Sequence, residues 1–319
     1  MLRAGEPHRD DLLASSPVSV KDVTLAVVTY NSALLLPRFL SALPAALEGV
    51  GSYELTVVDN ASTDDTLEVA RTYASGATVV ALDHNSGYAG GVNAALATSQ
   101  PSAAIYVLNP DTILQPGSVR ILLDALESPG VGIAVPRMLS ADGRLDASLR
   151  REPTLTRALG TALLGKRAGR WAALGENVLD PECYCRSTTA DWAVGAALMV
   201  SRACATAVGP WDETFFLYSE ETDFCLRARD LGFGLRLVPD AVVIHIGGRY
   251  PSECLYSMLV WNKYRLYRRR HGVVRATAFR CALILGEALR AAAGKPLSKA
   301  ALAALLIPAR RPPEVGRTW

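Results

Sequence analysis

The chain has 319 residues, half of them hydrophobic, and a formal net charge of +2. This length suits one large α/β domain with an appendage, or two ordinary domains. A charge so close to neutral excludes recruitment of nucleic acid or of a strongly acidic partner by an overall field. We therefore expect electrostatic binding to come from local clusters, and we expect no nucleic-acid partner.

The first 20 residues contain basic and acidic side chains but lack the apolar core that a secretion signal requires. We interpret residues 1–20 as a flexible N-terminal segment and expect a cytoplasmic protein. No uninterrupted apolar run of about eighteen residues is present to span a bilayer. The cysteines lack the paired spacing of a structural zinc site and are expected to be free thiols: Cys183, Cys185, Cys204, Cys225, Cys254 and Cys281.

Strand-like and helix-like segments alternate through the first half of the chain. Strands are predicted at 24–30, 53–59, 77–82, 103–108 and, later, 241–245. The first helix is expected to be bent or split by Pro44, and Ser62 is expected to cap the second. A hairpin is predicted around "SADGRL". This alternation is typical of right-handed βαβ units and a mostly parallel sheet.

Polar residues follow each of the first four predicted strands. These clusters are Tyr30-Asn31, Asp59-Asn60, His84-Asn85 and Asn109-Pro110-Asp111. In open α/β sheets, ligands bind beyond the carboxyl ends of the strands. The clusters are therefore expected to line one edge of the sheet and to form one site.

Asp59 ends a buried strand, where a carboxylate is costly unless it meets a donor. The imide N–H of a pyrimidine base would supply that donor. Alternatively, Asp59 begins an Asx-type turn with Asn60 and Ser62.

The segment "HNSGYAGGVNAAL" places Gly87, Gly90 and Gly91 just ahead of a helix. Backbone N–H groups there could approach an anionic diphosphate closely. The segment is neither GxGxxG nor a Walker loop, and a tight strand-to-helix turn explains the glycines equally well.

Asp111 and His245 are candidate metal ligands. Pro110 fixes the backbone before Asp111, where a carboxylate could hold a hard divalent cation completed by diphosphate oxygens and water. A strand-end His245 facing an acidic edge is a reasonable further ligand. Alternatively, Asp111 caps the following turn and His245 is structural.

A run of acids opens the predicted helix in "SEETDFCLRARDLG". Ser219 is read as its cap, with Glu220, Glu221 and Asp223 in the first turn. These acids could serve catalysis, or they could simply complement the helix dipole.

Taken together, the motifs resemble the family 2 glycosyltransferases, inverting enzymes with a GT-A fold, and especially the bacterial branch that includes rhamnosyltransferases. The resemblance runs from Thr24 to Gly248 and is carried by "VVTYNS", "VVDNASTD", "HNSGYAGGVNAAL", "LNPDTIL", "VGAALMVSR", "GPWDETFFLYSEETDFCLR" and "VVIHIGG". It implies an α/β GT-A catalytic domain over 21–250, a Rossmann-like, mostly parallel sheet flanked by helices. Residues 251–319 would then form a helical, basic and amphipathic C-terminal extension.

The resemblance also implies roles for individual residues. Asp111 would occupy the last position of the family's metal-binding Asp-x-Asp, whose first acid is Asn109 here, with Mn²⁺ or Mg²⁺ as cofactor and His245 as a further ligand. Asp59 would read the nucleotide base. The general base would be Glu221, although Glu220 or Asp223 could replace it if the helix is rotated.

The remaining contacts divide between donor and acceptor. The expected donor-binding residues are Thr29, Tyr30, Asn31, Asp59, Asn60, Asn85, Gly87, Tyr88, Gly90, Asn93, Asn109 and Pro110. The expected acceptor-binding residues are Gly195, Trp211 and Asp212. The expected donor is dTDP-L-rhamnose, with galactofuranose, mannose and N-acetylglucosamine left open as the sugar. A nucleotide-sugar-binding module without turnover is the alternative, while a Rossmann dehydrogenase is disfavoured because no GxGxxG follows the first strand.

Beyond residue 250 the composition becomes basic and aromatic. The run "WNKYRLYRRRHG" and the helical sequence after it suit an anionic membrane interface, so peripheral contact through 261–290 at the inner face of the plasma membrane is expected. A glycan or polyprenyl-linked sugar would then be the acceptor. Alternatively, these helices pack as a cap on the catalytic domain.

Overall fold

The structure is a computed structural model that describes residues 20–247 and 252–312. The predicted N-terminal segment therefore lies, apart from Val20, outside the described residues. The strands are β1 Lys21–Thr29, β2 Tyr53–Asp59, β3 Thr78–Ala81, β4 Ser102–Leu108, β5 Thr112–Leu114, β6 Val131–Ser140, β7 Leu149–Arg150, β8 Thr188–Ala190, β9 Trp192–Ala193, β10 Ala197–Ser201 and β11 Gly234–His245. The α-helices are α1 Leu36–Ala46, α2 Thr66–Tyr73, α3 Gly87–Thr98, α4 Ser118–Leu126, α5 Leu155–Leu164, α6 Arg202–Val208, α7 Glu220–Asp230, α8 Glu253–Ala292 and α9 Pro296–Leu306.

A mixed sheet with the strand order β3-β2-β1-β4-β10-β6-β11-β5 forms the centre of the fold, and β8 pairs with β11. β1 runs parallel to β2 and β4, whereas β10 lies antiparallel between β4 and β6. β11 runs parallel to β6. The carboxyl ends of β1, β2, β4 and β11 therefore share one edge with the start of β10. A small ribbon of β7 and β9 stands apart from this sheet.

Helices cover both faces of the sheet, which explains the nearly continuous hydrophobic sequence of β1. Leu25 and Val27 belong to the core cluster that includes Phe39 of α1. Ala26 and Val28 face the opposite cluster, which includes residues of α3. The sheet is thus buried on both sides, as the expected α/β GT-A fold requires.

Three local predictions can be compared with the structure. α1 continues through Pro44 to Ala46, so the predicted split is wrong; Pro44 removes one backbone hydrogen bond, and the remaining bonds keep the last turn helical. Ser62 is not a helix cap, because α2 begins at Thr66. The hairpin around "SADGRL" is confirmed, with the Ser140 N–H donating to the Arg144 carbonyl at 2.8 Å.

The C-terminal helices pack on α5 and on each other. α8 is broken at Gly272, whose φ of 73° and ψ of 177° are not helical. Val260, Phe279 and Leu305 share one buried cluster with Ala158 of α5. None of the described helices combines the length and the apolar character needed to cross a bilayer.

The basic run of α8 faces the catalytic domain. Lys263 forms an ion pair with Glu176, Arg269 with Asp212, and Arg270 with Asp230 and Glu152, while Arg265 donates to the Thr214 carbonyl. These are the contacts expected of a helical cap, which was the alternative to a membrane interface for this run.

Candidate active site

The predicted polar clusters meet at the carboxyl edge of the sheet. Thr29 and Asp59 are register partners at the ends of β1 and β2. Just past the end of β4, the Asn109 N–H donates to the Ala196 carbonyl at 2.9 Å, and Gly195 lies beside this junction. His245 ends β11 at the same edge.

Asp59 is buried, and protein donors occupy much of its carboxylate. Oδ2 accepts from the Ser62 N–H at 3.1 Å, while Oδ1 accepts from the hydroxyls of Ser62 and Thr29. The turn that was the alternative reading of Asp59 is therefore present. A carboxylate has about four acceptor positions, so one remains for a further donor.

Two asparagines predicted to bind the donor hold loops together. Asn60 is buried; its Nδ2 donates to the Gly87 carbonyl at 2.9 Å, and its Oδ1 accepts from the Ser86 N–H at 2.8 Å. Asn31, at a left-handed φ of 49°, accepts from the Thr63 N–H at 2.8 Å. Tyr30 beside it is half exposed and remains available to stack on a base.

The glycines that open α3 serve close packing. Gly87 has a φ of +77°, and a Cβ there would lie 2.3 Å from the Phe216 carbonyl oxygen. The Gly87 N–H donates to Oδ1 of Asn85, and the Tyr88 N–H donates to the Phe216 carbonyl. A Cβ on Gly90 would lie 2.5 Å from the Ser86 hydroxyl. The first amides of α3 thus have protein acceptors, which supports the strand-to-helix turn rather than an open diphosphate cradle.

The structure revises three predicted contacts near α3. Trp211 is buried and stacks on Phe224 with ring centroids 4.8 Å apart, so it is not available to an acceptor. Asp212 is engaged by Arg269 of α8. Asn93 donates to the Trp211 carbonyl at 2.9 Å and accepts from the Trp211 N–H at 3.0 Å. Asn93 therefore holds the 211–213 segment instead of a ligand.

An unusual backbone presents the two glutamates at the start of α7. Tyr218 and Ser219 have φ values of 67° and 78°, which non-glycine residues seldom adopt. Ser219 precedes the helix as predicted, but its side chain makes no capping hydrogen bond among the described residues. Instead, the buried Asn262 of α8 donates to the carbonyls of Leu217 and Tyr218 at 3.0 and 3.3 Å. Helix α8 thereby holds the backbone directly ahead of Glu220.

Glu220 and Glu221 differ in their surroundings. Burial, followed by the negative charge of Glu221, raises the pKa of Glu220 well above its ordinary value. Burial also raises the pKa of Glu221, but backbone hydrogen bonds and the positive charge of Arg150 oppose this shift. Oε2 of each is buried without a hydrogen-bond partner in the described part of the chain. Asp223, by contrast, is paired with Arg227 at 2.6 Å.

Tyr88 connects this pair of glutamates to the end of β4. Its hydroxyl donates to the Gly195 carbonyl at 3.1 Å. Burial, and then the negative charges of Glu220, Glu221 and Asp111, raise the pKa of Tyr88 well above its ordinary value. Gly195 also lies against Glu221, since a Cβ on this glycine would be 3.2 Å from Cβ of Glu221. Tyr88, Gly195 and Glu221 are therefore neighbours at this edge of the sheet.

Asp111 and His245 come together as predicted. Nε2 of His245 lies 3.4 Å from Oδ2 of Asp111, and Nδ1 lies 3.1 Å from Oδ2 of Asp146. Burial lowers the pKa of His245, but hydrogen bonds with Asp111 and Asp146 raise it to about 9. Oδ1 of Asp111 is buried and lacks a hydrogen-bond partner among the described residues.

This arrangement fits a divalent cation that is completed by its substrate. A metal-ligating histidine usually donates its other ring N–H to a carboxylate, the position that Asp146 occupies beside His245. Within residues 20–247 and 252–312, no group of three or more His, Cys, Asp and Glu side chains is arranged to hold a metal alone. Asp111 and His245 would therefore need oxygen ligands from a diphosphate and water.

Sequence reasoning missed Asp146 and Asn262. Asp146 is 99 positions from His245 and lies in a hairpin without a recognisable motif. Asn262 stood in the run that was interpreted as a membrane interface, and no local pattern distinguishes a buried asparagine there. Arg150 was also missed, because no motif distinguishes it from the other basic residues near it in the sequence.

Comparisons with known proteins agree with this fold. Residues 24–192 match the family described as "Glycosyl transferase family 2". The chain is 32% identical over 235 residues to N-acetylglucosaminyl-diphospho-decaprenol L-rhamnosyltransferase of Mycobacterium tuberculosis strain H37Rv, covering 69% of this chain and 75% of that protein. It is 30% identical over 231 residues to the low-salt glycan biosynthesis hexosyltransferase Agl10 of Haloferax volcanii. This match covers 69% of this chain and 66% of that protein.

A solved structure shares the fold. The mannosyltransferase PcManGT from Pyrobaculum calidifontis, in complex with GDP-Man and Mn²⁺, matches with a TM-score of 0.56 and 20% identity over 93% of this chain and 86% of its own. The matched family spans the strands that carry Asp59 and Asp111, and the relatives cover two thirds of the chain. The chain therefore belongs to glycosyltransferase family 2, and it is a glycosyltransferase of the rhamnosyltransferase-like branch.

Proposed function

We propose that this enzyme transfers L-rhamnose from dTDP-L-rhamnose, with inversion, to a hydroxyl of a polyprenyl-diphosphate-linked sugar at the inner face of the plasma membrane. The printed activity of the M. tuberculosis relative supports both the rhamnosyl donor and an N-acetylglucosaminyl diphospholipid acceptor. The product would enter cell-envelope polysaccharide synthesis.

One observation carries this proposal: Asp111 and Glu221 come to the same edge of the sheet from two different parts of the fold. Gly195, which lies against Glu221, is followed by Ala196, and the Ala196 carbonyl accepts from the N–H of Asn109, two residues before Asp111. Each has a buried oxygen without a hydrogen-bond partner in the described structure, but Asp111 is paired with a histidine and Glu221 is not. Two carboxylates in such different environments suit two different roles. Asp111 would help to hold the metal ion at the leaving diphosphate. Glu221 would accept the proton of the attacking hydroxyl.

Glu221 is the best candidate for the general base. Asp223 is paired with Arg227, and Glu220 is more deeply buried than Glu221. Glu221 would take the proton from the acceptor hydroxyl as that oxygen attacks the anomeric carbon. Such a base typically contributes about 10²- to 10⁴-fold. A single displacement on the face opposite the leaving group inverts the anomeric centre.

The donor would be held at the other end of the site. The remaining acceptor position of Asp59 suits the imide N–H of a pyrimidine, and the half-exposed Tyr30 lies next along the chain from Thr29. Asp111 and His245, with Asn109 and Pro110 ahead of them, would hold the Mn²⁺ or Mg²⁺ ion. When bound, that ion would supply positive charge to the departing diphosphate.

Two alternatives use the same site. In the first, the enzyme is a family 2 transferase specific for galactofuranose, mannose or N-acetylglucosamine, and it uses the same candidate site residues. A nucleotide-sugar-binding module without turnover is less well supported, because both Glu221 and the Asp111–His245 pair are present. Release of nucleoside diphosphate from the donor in the presence of Mn²⁺ would separate an enzyme from such a module.

A thermal-shift panel of UDP-, GDP- and dTDP-sugars, with and without Mn²⁺ or Mg²⁺, tests the donor. A ligand that binds only the folded state raises its stability in proportion to the logarithm of concentration over Kd. We expect selective, metal-dependent stabilisation by dTDP-L-rhamnose, followed by transfer to a polyprenyl-diphosphate-linked N-acetylglucosamine. Selective stabilisation by a UDP- or GDP-sugar would replace rhamnose by that sugar. No stabilisation by any donor would contradict the proposal.

A further inference from the structure

Helix α5 exposes leucines to solvent. Thr156, Leu159 and Leu163 follow the i, i+3, i+7 spacing of one helix face, and all three are exposed. Leu163 is 67% exposed and the adjoining Leu164 is 43% exposed. Such a face is ordinarily polar when it meets only water, so this one is a candidate interaction surface.

The opposite face of α5 is well packed, which makes the exposed side a fixed surface. Ala158 belongs to the buried cluster of the C-terminal helices. At Gly286 of α8, a Cβ would lie 3.2 Å from Cα of Ala162, so the two helices are in close contact. α5 is therefore fixed on α8, while Leu159, Leu163 and Leu164 remain exposed.

Unpaired cations follow these leucines along the chain. Lys166, Arg167 and Arg170 lie in the 3₁₀ turn Gly165–Arg170, all are exposed, and none forms an ion pair within the described residues. Trp171 comes next and is 51% exposed. From 153 to 175 the sequence contains no Asp or Glu. The surface thus combines leucines, a tryptophan and charge of one sign.

We propose that this α5 patch, formed by Leu159, Leu163, Leu164, Lys166, Arg167, Arg170 and Trp171, docks on the surface of an anionic lipid bilayer. Leucine side chains would enter the boundary between headgroups and acyl chains, where tryptophan is also favoured. The cations would lie among the anionic headgroups. Protein interfaces are depleted in lysine and usually mix both signs of charge, so a lipid surface fits this composition better.

This position differs from the run at 261–270. There, Lys263, Arg269 and Arg270 are paired with acids of the catalytic domain. Cations already paired within the protein gain little from lipid headgroups. The α5 patch therefore replaces that run as the expected membrane contact.

The patch is connected to the candidate active site. α5 begins soon after Arg150 of β7, and β7 pairs with β9, which leads to Gly195 beside Glu221. Docking through α5 would hold the acceptor side of the site near the bilayer. This consequence rests on the proposed function, but the lipid contact itself does not.

Vesicle sedimentation with the full chain tests the proposal. We expect binding to vesicles that contain phosphatidylglycerol, weaker binding to phosphatidylcholine alone, and loss at high salt. The triple substitution K166Q/R167Q/R170Q should weaken partitioning by roughly tenfold or more, since each cation near an anionic surface contributes to binding. Leu163→Gln should weaken binding to both kinds of vesicle.

A matched control removes the same number of charges elsewhere. R268Q/R275Q/K299Q replaces three exposed cations of α8 and α9 and should leave binding nearly unchanged. Melting temperature and donor affinity should match the wild type in every variant, because all these side chains are exposed and none belongs to the candidate active site. Absence of vesicle binding by the wild type, or equal loss in both triple variants, would overturn the proposal. Failure of sugar transfer with intact vesicle binding would count against the proposed function alone.

Discussion

The Tyr88 hydroxyl donates a 3.1 Å hydrogen bond to the carbonyl oxygen of Gly195, 107 positions further along the chain. Gly195 in turn lies against Glu221, since a Cβ added to this glycine would stand 3.2 Å from Cβ of the glutamate. The position of the proposed base is therefore defined by contact with a residue that has no side chain.

Substitution of that glycine is expected to displace the base without unfolding the protein. Gly195→Ala should lower kcat by roughly tenfold or more, because small displacements of a reacting group are costly. The KM for the donor should change little. Steady-state kinetics with a thermal melt as control will check this, and an unchanged kcat would mean that Glu221 tolerates the shift or is not the base.

Removal of the charge at position 221 is expected to stop chemistry and spare binding. Glu221→Gln should reduce transfer by about 10²- to 10⁴-fold while nucleotide affinity stays near that of the wild type. Asp223→Asn, which breaks the pair with Arg227, serves as the control and should act on stability instead. If Glu220→Gln proves the more damaging to kcat, the base is Glu220.

Substitutions of Asp111 and Asp146 are expected to lower metal affinity to different degrees. Asp111→Ala should weaken nucleotide binding and make it less dependent on metal, because it removes a direct ligand. Asp146→Asn should reduce metal affinity by about 10- to 100-fold through the orientation of His245. Calorimetry of nucleotide binding with and without Mn²⁺ measures both, and unchanged metal linkage in Asp111→Ala would refute the ligand assignment.

Burial of Glu221 sets the direction of a pH effect. Its pKa is raised above the ordinary value of 4.5, so its ionised fraction, and with it kcat, should fall as pH falls through that raised pKa. The native state also binds this proton more tightly than the unfolded state does. Stability should therefore decline as pH rises from about 4.5 towards the raised pKa. A pH–kcat profile whose acid limb is unaltered in Glu221→Asp would argue against this carboxylate.

Two glycines with nearly equal φ provide a test of packing at the start of α3. Gly87 and Gly76 have φ values of +77° and +78°, but only Gly87 has a neighbour in the way, the Phe216 carbonyl. Gly76→Ala should cost about 1 to 2 kcal/mol from backbone strain alone. Gly87→Ala should cost roughly 1 to 3 kcal/mol more from overpacking. If both variants lose the same free energy of unfolding in denaturant titrations, the segment around Phe216 moves aside at no measurable cost.

The rule that ligands bind beyond the carboxyl ends of the strands accounts for the part of the site that could be predicted from the sequence. Asp111 and His245 each follow or end a buried strand, and parallel strands deliver their ends to one edge, so their meeting was expected. Trp211 and Asp212 were expected to face an acceptor, but the structure packs Trp211 on Phe224 and pairs Asp212 with Arg269. A sequence motif does not show whether a side chain faces a ligand or a neighbouring helix. Asp146 and Asn262 depend on contacts across long separations, which no local periodicity encodes.

The hydrogen bonds from Asn262 to the carbonyls of Leu217 and Tyr218 change how the C-terminal third should be regarded. A shortened chain that stopped at residue 250 would keep every strand of the sheet. It would nevertheless lose the amide that steadies two left-handed residues just before the glutamate pair. Residues beyond the glycosyltransferase motifs would thus belong to the catalytic apparatus itself, and exchange of helix α8 between relatives would be expected to change turnover.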